Sequence, residues 1–249
     1  VFSHSYLVDS HQFDAQIEAL ADRYRVIAFD HRDHGRSSRA TAPYDLDDLV
    51  DDTVGFIEQL GIAPCHFIGL STGGFVGMRI AFRRPELFRS VTLMDTDAGA
   101  ERALAKTKNK GLLLALRLVG LGPLMGQAMK AMFGPQFLKD ADRREEAAFW
   151  RRRIRDNDPA ALVRFGNAIF ARSDVLEELR GVDLPCLVVA GAKDRALPKD
   201  AAPAMAAAIP GARLEFIADA GHLCTIEKPD EVTAVLSSFL DGLTDAPGS

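Results

Sequence analysis

Gly69-Leu70-Ser71-Thr72-Gly73-Gly74 stands where one periodicity ends and another begins. His66 to Leu70 is a short apolar run of strand type, and Thr72 to Arg84 continues at helical spacing until Pro85 stops it. In a G-x-S-x-G string the serine occupies a sharp strand-to-helix turn, and the flanking glycines let the helix close onto the strand. The turn lifts the Ser71 hydroxyl out of the sheet. The backbone N–H of Thr72 then opens the helix, where it is placed to stabilise an oxyanion. The bland alternative is a glycine-rich turn with an idle serine. A serine needs a base, and the base a carboxylate, so the rest of the chain decides between the two.

Both partners occur at matching places. His222 follows a strand in Ala220-Gly221-His222-Leu223, and Asp194 follows another in Gly191-Ala192-Lys193-Asp194-Arg195, with Pro198 closing that loop. Strand C-terminal ends are where open α/β sheets carry their sites. Alone, His222 reads as a buried ring bonded to backbone and Asp194 as a turn former. Together, in the order Ser71, Asp194, His222, they read as nucleophile, orienting acid and base. Asp95 and Asp97, after the strand Ser90 to Met94, are the competing acids, or caps of the segment that follows.

The same grammar extends in both directions. Val26 to Phe29 reads as a buried strand. Asp45 caps a helix with Leu46, Leu49, Thr53, Phe56, Ile57 and Leu60 on one face and Gly61 as its stop. Later come a strand from Cys186 to Ala190, a helix from Asp200 to Ile209, a strand from Leu214 to Ile217, and a helix opened by Pro229 with Val232, Val235, Leu236 and Phe239 inward. This alternation predicts an α/β fold with a mostly parallel sheet flanked by helices. Between Ala98 and Ser173 the strand signal stops. Leu, Met, Ala and Arg recur at helical spacing, broken at 120–123 and 157–159, so this stretch is expected to be an inserted helical cap. The expected division is therefore 1–97 and 174–249 for the two parts of the core and 98–173 for the cap.

Composition bounds the function classes. With 249 residues, 47% hydrophobic and 26% charged, the chain is an ordinary globular one. A net charge of −5, without a stripe of Lys and Arg interleaved with aromatics, argues against nucleic acid as partner. Cys65, Cys186 and Cys224 are odd in number and far apart, which suits reduced thiols and a cytoplasmic location. The most apolar stretch, Gly111 to Met132, is interrupted by Arg117, Gly120, Gly122 and Pro123, so no membrane anchor is expected. The chain opens on Val1-Phe2 without a Met, which leaves an upstream signal peptide open.

Other polar clusters carry plainer readings. Asp30-His31-Arg32-Asp33-His34 has the residue types of a metal site but lacks a suitably spaced further histidine, so no metal is expected. His11 reads as an exposed helix start, His66 as core and Trp150 as packing within the cap. Arg151, Arg152, Arg153 and Arg155 read as a solvated face paired with Glu145 and Glu146.

At this point the chain resembles the α/β-hydrolase superfamily over nearly its whole length. Beyond the three site residues, Asp30 to Ser38 looks like the family's D-x-R-G-x-G-x-S loop, Tyr24 to Ile27 like the strand before it, and Ile226 to Pro229 like the stretch after the histidine. The resemblance implies that two further strands precede Val1. It also implies that the amide of Tyr6 is the second oxyanion donor beside Thr72, with the Tyr6 ring reaching into the pocket. Two positions depart from the family: Ser5 and Asp33 both stand where it has glycine, so both loops are expected to be reshaped.

A serine at the elbow implies acyl transfer; relatives that open epoxides or displace halide use aspartate there. The resemblance is strongest to small bacterial esterases and 3-oxoadipate enol-lactonases. The expected activity is hydrolysis of a small-molecule carboxylic ester or lactone without a cofactor, with homo-oligomerisation left open. A C–C bond hydrolase and a cofactor-free perhydrolase would use the same three residues. A small-molecule receptor would carry them as vestiges.

Overall fold

The structure, a computed structural model, describes residues 1–244. Positions 245–249 of the expected second core part lie outside the described residues. In chain order the elements are β1 (Phe2–Ser3), α1 (Asp14–Leu20), β2 (Ala28–Phe29), α2 (Leu46–Gln59), β3 (Cys65–Leu70), α3 (Thr72–Arg83) and β4 (Phe88–Met94). Five helices follow without a strand between them: α4 (Ala103–Val119), α5 (Met125–Met132), α6 (Pro135–Lys139), α7 (Arg144–Arg155) and α8 (Pro159–Phe170). The chain then returns through β5 (Cys186–Gly191), α9 (Ala201–Ala208), β6 (Arg213–Ile217), α10 (Cys224–Glu227) and α11 (Pro229–Thr244).

The six strands form one parallel sheet in the order β2-β1-β3-β4-β5-β6. The order reverses between β1 and β3. That is the switch point at which open α/β sheets leave a crevice beyond the strand C-termini. Strand runs that are apolar throughout, such as Phe67 to Leu70 and Val91 to Met94, are buried because helices cover both faces. The expected strand at Val26 to Phe29 shrinks to Ala28–Phe29. It is an edge strand that pairs with β1 alone, and its residues are half-buried. In α2, Asp45 and Asp48 form a reciprocal capping box, and Leu49 and Ile57 are fully buried, worth about 1.5–3 kcal/mol each. Leu60, expected on that inner face, is instead exposed beyond the helix end, where Gly61 turns the chain at φ +60°.

Among the inserted helices, the expected interruptions at 120–123 and 157–159 are present, with Asp158 capping α8 and Pro159 as its first residue. A further interruption falls at Gly134, where Pro135 opens α6. Trp150 is buried. The arginines of α7 do not pair as expected: Arg153 bonds to Asp9 of the core, Arg155 pairs with Asp156, and Glu146 takes Arg143.

The Asp30 to Ser38 loop holds two findings. Asp33 adopts φ +67°, the region that favours glycine, and its side chain compensates. Its fully buried carboxylate accepts both arms of Arg164 from α8 (3.0 and 2.7 Å), the Tyr44 hydroxyl (2.9 Å) and the Ala40 amide (2.9 Å). The departure from glycine thus ties the sheet to an inserted helix. The second finding corrects the histidine count. Pairing of β1 with β2 brings His4 within 4.7 Å of the His31 ring and 5.3 Å of the His34 ring, and all three are buried. The His4 nitrogens are occupied: Nε2 accepts the His31 amide (2.8 Å), so Nδ1 carries the proton and donates to the Ser5 carbonyl (2.7 Å). His31 Nε2 is bonded to the Ser3 hydroxyl (2.9 Å).

Burial holds each of the three rings below the ordinary histidine pKa, His34 at about 3, and repulsion from His4 adds to the effect on His31 and His34. The unfolded chain takes up these protons as pH falls through about 6.5, while the folded rings take them up only at lower pH, so the unfolded state binds more protons and stability falls as pH falls. Denaturant unfolding between pH 7.5 and 5 is expected to show stability falling below about pH 6.5, with His34 alone contributing roughly 1 kcal/mol per pH unit. The slope should be shallower in His34→Phe, and a flat profile would mean that the rings charge in the folded protein.

Candidate active site

The chain leaves β3 and enters α3 through Ser71 alone, at φ +53° and ψ −107°. Such a conformation costs a non-glycine residue about 1–3 kcal/mol, so the surroundings must enforce it. Ser71 N–H donates to the Met94 carbonyl of β4 (2.8 Å). Its own carbonyl accepts the Phe75 amide (2.9 Å) and the Thr96 hydroxyl (2.8 Å). The turn closes only because two side chains are missing. A Cβ on Gly69 would lie 2.2 Å from the Gly73 carbonyl oxygen, and a Cβ on Gly73 would lie 2.0 Å from the Ser3 carbonyl oxygen. Thr72 is the first residue of α3, so its N–H has no acceptor within the helix.

Asp194 and His222 leave β5 and β6 at the same edge of the sheet, and backbone bonds staple their loops together. Lys193 N–H donates to Ala220 O (2.8 Å) and Ala192 N–H to Ile217 O (2.9 Å). His222 Nδ1 donates to Asp194 Oδ2 at 2.8 Å, while Asp194 Oδ1 accepts the Ala196 amide (2.7 Å). This bond fixes the tautomer and leaves His222 Nε2 as the acceptor. Burial opposes a charge on His222, but the charge and hydrogen bond of Asp194 outweigh it and hold the ring above its ordinary pKa. The structure therefore joins two of the three expected residues directly. Among the described residues the Ser71 hydroxyl makes no hydrogen bond to His222; it shares their sheet edge, two strands from Asp194.

Asp95, the competing acid, lies close enough for its charge to act on His222 but bonds to another partner. It is buried at the end of β4, and its Oδ1 accepts the Gly191 amide at 2.6 Å, bracing the strand that leads to Asp194. Burial, then the charge of Asp194, pushes its carboxyl well above the usual range. Asp97 accepts from Gly99 N–H (2.8 Å) and sits near Arg172. A cavity of about 220 Å³ lies beside Asp95, Thr96 and Asp194.

The inserted helices reach the loops on both sides of this edge. On the β1 side, the Tyr6 hydroxyl donates to Leu162 O of α8 (2.8 Å), and its ring stacks on Phe165. Asn157 Nδ2 donates to Leu7 O (3.0 Å). The Tyr6 side chain is thus an anchor into α8. Ser5, where a reshaped loop was expected, is not among the residues of positive φ. Its N–H donates to Gln12 Oε1 (3.1 Å), and Leu7 takes the left-handed conformation at φ +72°. On the β6 side, Leu223 N–H donates to Met132 O (3.0 Å) and Gly134 N–H to Glu227 Oε2 (3.0 Å). Burial raises the Glu227 carboxyl to about 7, and its charge acts on His222. Thr96, Leu162 and Met132 were not singled out in the sequence and Asn157 was read only as part of a helix break, because each acts through a partner far along the chain. Glu227 lay in a quoted motif without an assigned part. His11 is exposed and bonded to Asp14, and His66, half-buried in β3, bonds to Ser90.

Comparison with known proteins bears on this geometry. A family model described as the alpha/beta hydrolase fold matches residues 1–229. The chain is 30% identical over 247 residues to 3-oxoadipate enol-lactonase 2 of Acinetobacter baylyi, covering 96% of this chain and 88% of that protein. The crystal structure of the enol-lactonase from Burkholderia xenovorans LB400 superposes with a TM-score of 0.89 at 28% identity, covering 96% of this chain and 90% of that one. A thermophilic esterase from Thermogutta terrifontis gives 0.90 at 26% identity, covering 97% and 89%. With the sheet order, the elbow and these similarities together, the chain belongs to the α/β-hydrolase family, in its enol-lactonase-like branch, and is a hydrolase.

Proposed function

We propose that the protein hydrolyses a carboxylic ester or lactone through an acyl-enzyme on Ser71. The observation that carries this reading is the 2.8 Å bond from His222 Nδ1 to Asp194 at the sheet edge that also bears the Ser71 elbow. Ser71 Oγ attacks the carbonyl carbon as His222 Nε2 takes its proton. The oxyanion is received by the amides of Thr72 and Tyr6. As the tetrahedral species collapses, His222 returns the proton to the leaving oxygen, which in a lactone stays tethered to the acyl group. Water, deprotonated by the same nitrogen, then releases the acid and restores Ser71.

Asp194 acts by orienting the imidazole and stabilising its charged form; Asp95 braces the neighbouring strand. No step calls for a cofactor. The relatives named enol-lactonase and esterase support the substrate class, as does a serine rather than a carboxylate at the elbow. The free thiols of Cys65, Cys186 and Cys224 support a reducing, cytoplasmic setting.

Ser71→Ala is expected to lower kcat on short-chain esters and lactones by about 10⁴ or more. Its melting temperature should stay close to that of the parent, since alanine meets the same backbone strain as serine. An active Ser71→Ala protein would overturn the mechanism.

The pH profile tests the base and the acid together. Because Asp194 holds His222 above the ordinary histidine value, kcat/KM should rise with pH through an apparent pKa above about 6.5. Asp194→Asn removes that support. It should shift the inflection to lower pH and cut kcat by about 10⁴, with Asp95→Asn costing far less. An unshifted profile in Asp194→Asn would transfer the acid's part to another carboxylate.

A further inference from the structure

We propose that the outer face of α4 is a peripheral docking surface for an anionic lipid bilayer. The helix has two apolar sides where a surface helix normally has one. Leu113 and Leu116 are buried on the side that packs against α8. On the opposite side Leu104 is 85% exposed, Leu118 73% and Leu114 57%, with Val119 also 57% exposed at the helix end. Leu104, Gly111 and Leu118 recur at seven-residue intervals and Leu114 lies four before Leu118, so they form one stripe along the helix.

Charge identifies the occupant. At 100° per residue Lys106, Lys110 and Arg117 fall along one flank of the stripe and Lys108 along the other, and all four are exposed. No acidic residue occurs between Glu101 and Asp140, although the chain as a whole carries a net charge of −5. A second copy of this face would set cation against cation. Protein interfaces are depleted in lysine, whereas a leucine stripe flanked by lysine and arginine is the composition of helices that lie in a lipid interface. Their alkyl stems can lie along the apolar layer while the charged ends meet anionic headgroups. The contact is with the membrane surface: no helix among the described residues is long and apolar enough to cross a bilayer. Docked this way, α4 presents lipid on one side and α8 on the other, and the carbonyl of Leu162 in α8 is the acceptor of the Tyr6 hydroxyl.

The test is co-sedimentation of the intact protein with vesicles of phosphatidylglycerol or of phosphatidylcholine, at low and high salt. Sedimentation is expected with phosphatidylglycerol at low salt, and little with phosphatidylcholine. Lys106→Gln with Lys110→Gln should lower partitioning about 30-fold, and Leu114→Gln with Leu118→Gln by tenfold or more. Both pairs are on the surface, so melting temperature should be unchanged. Ser71→Ala should bind as the parent does, which keeps this inference separate from the hydrolase mechanism. The proposal is overturned if phosphatidylglycerol vesicles do not retain the protein or if either pair of substitutions leaves retention unchanged. It is also overturned if sedimentation velocity reveals a dimer that the leucine pair dissolves, since the stripe is then a self-interface.

Discussion

The close approach of α3 to the strands beneath it is the constraint on which the rest of the site depends. It admits no side chain at position 69 or 73, and it holds Ser71 in a conformation that serine does not otherwise favour. The strain is contained by three hydrogen bonds of the Ser71 backbone: its N–H donates to β4, and its carbonyl accepts from α3 and from Thr96. A looser junction would let Ser71 relax out of this conformation. Because β3 lies at the reversal of strand order, the turn opens into the crevice that the sheet itself creates. The loops of β5 and β6 end at the same edge because every strand is parallel.

The inserted helices are attached to that edge by polar contacts on both sides, through Leu162 and Asn157 to the Tyr6 loop and through Met132 and Gly134 to the His222 loop. A buried Asp33–Arg164 pair fixes α8 to the core between them. A change in how these helices sit therefore bears on the Tyr6 loop and on the His222 loop at once. α8 bonds to the Tyr6 loop and to Asp33, and α4, packed against it, offers its far side to solvent.

Much of this was legible in the sequence because it is local. The elbow is written in six consecutive residues, and Asp194 and His222 each follow a strand whose apolar run announces it. The cap of α2 at Asp45 and the start of α8 at Pro159 are equally short-range. What escaped depends on pairing between distant segments. His4 was not linked to His31 and His34 because nothing near it in the chain signals that β1 and β2 would set the three rings together. Asp33 read as a departure from glycine, and its partner Arg164 lies 131 residues away. Arg153 was assigned to neighbours on its own helix, whereas Asp9 is the partner the fold supplies. The Val26 strand was overdrawn because an edge strand with one partner needs few ladder bonds, and residue type alone does not say which strand is at the edge.

The measurement that bears most directly on the account is rapid-quench mass spectrometry of the protein mixed with a slowly deacylating ester. A mass increase equal to the acyl group, appearing within the first turnover and located by peptide mapping to Ser71, is the expected result. Steady turnover of the same ester with no covalent adduct on Ser71 at any time, or with the adduct on another residue, would contradict it.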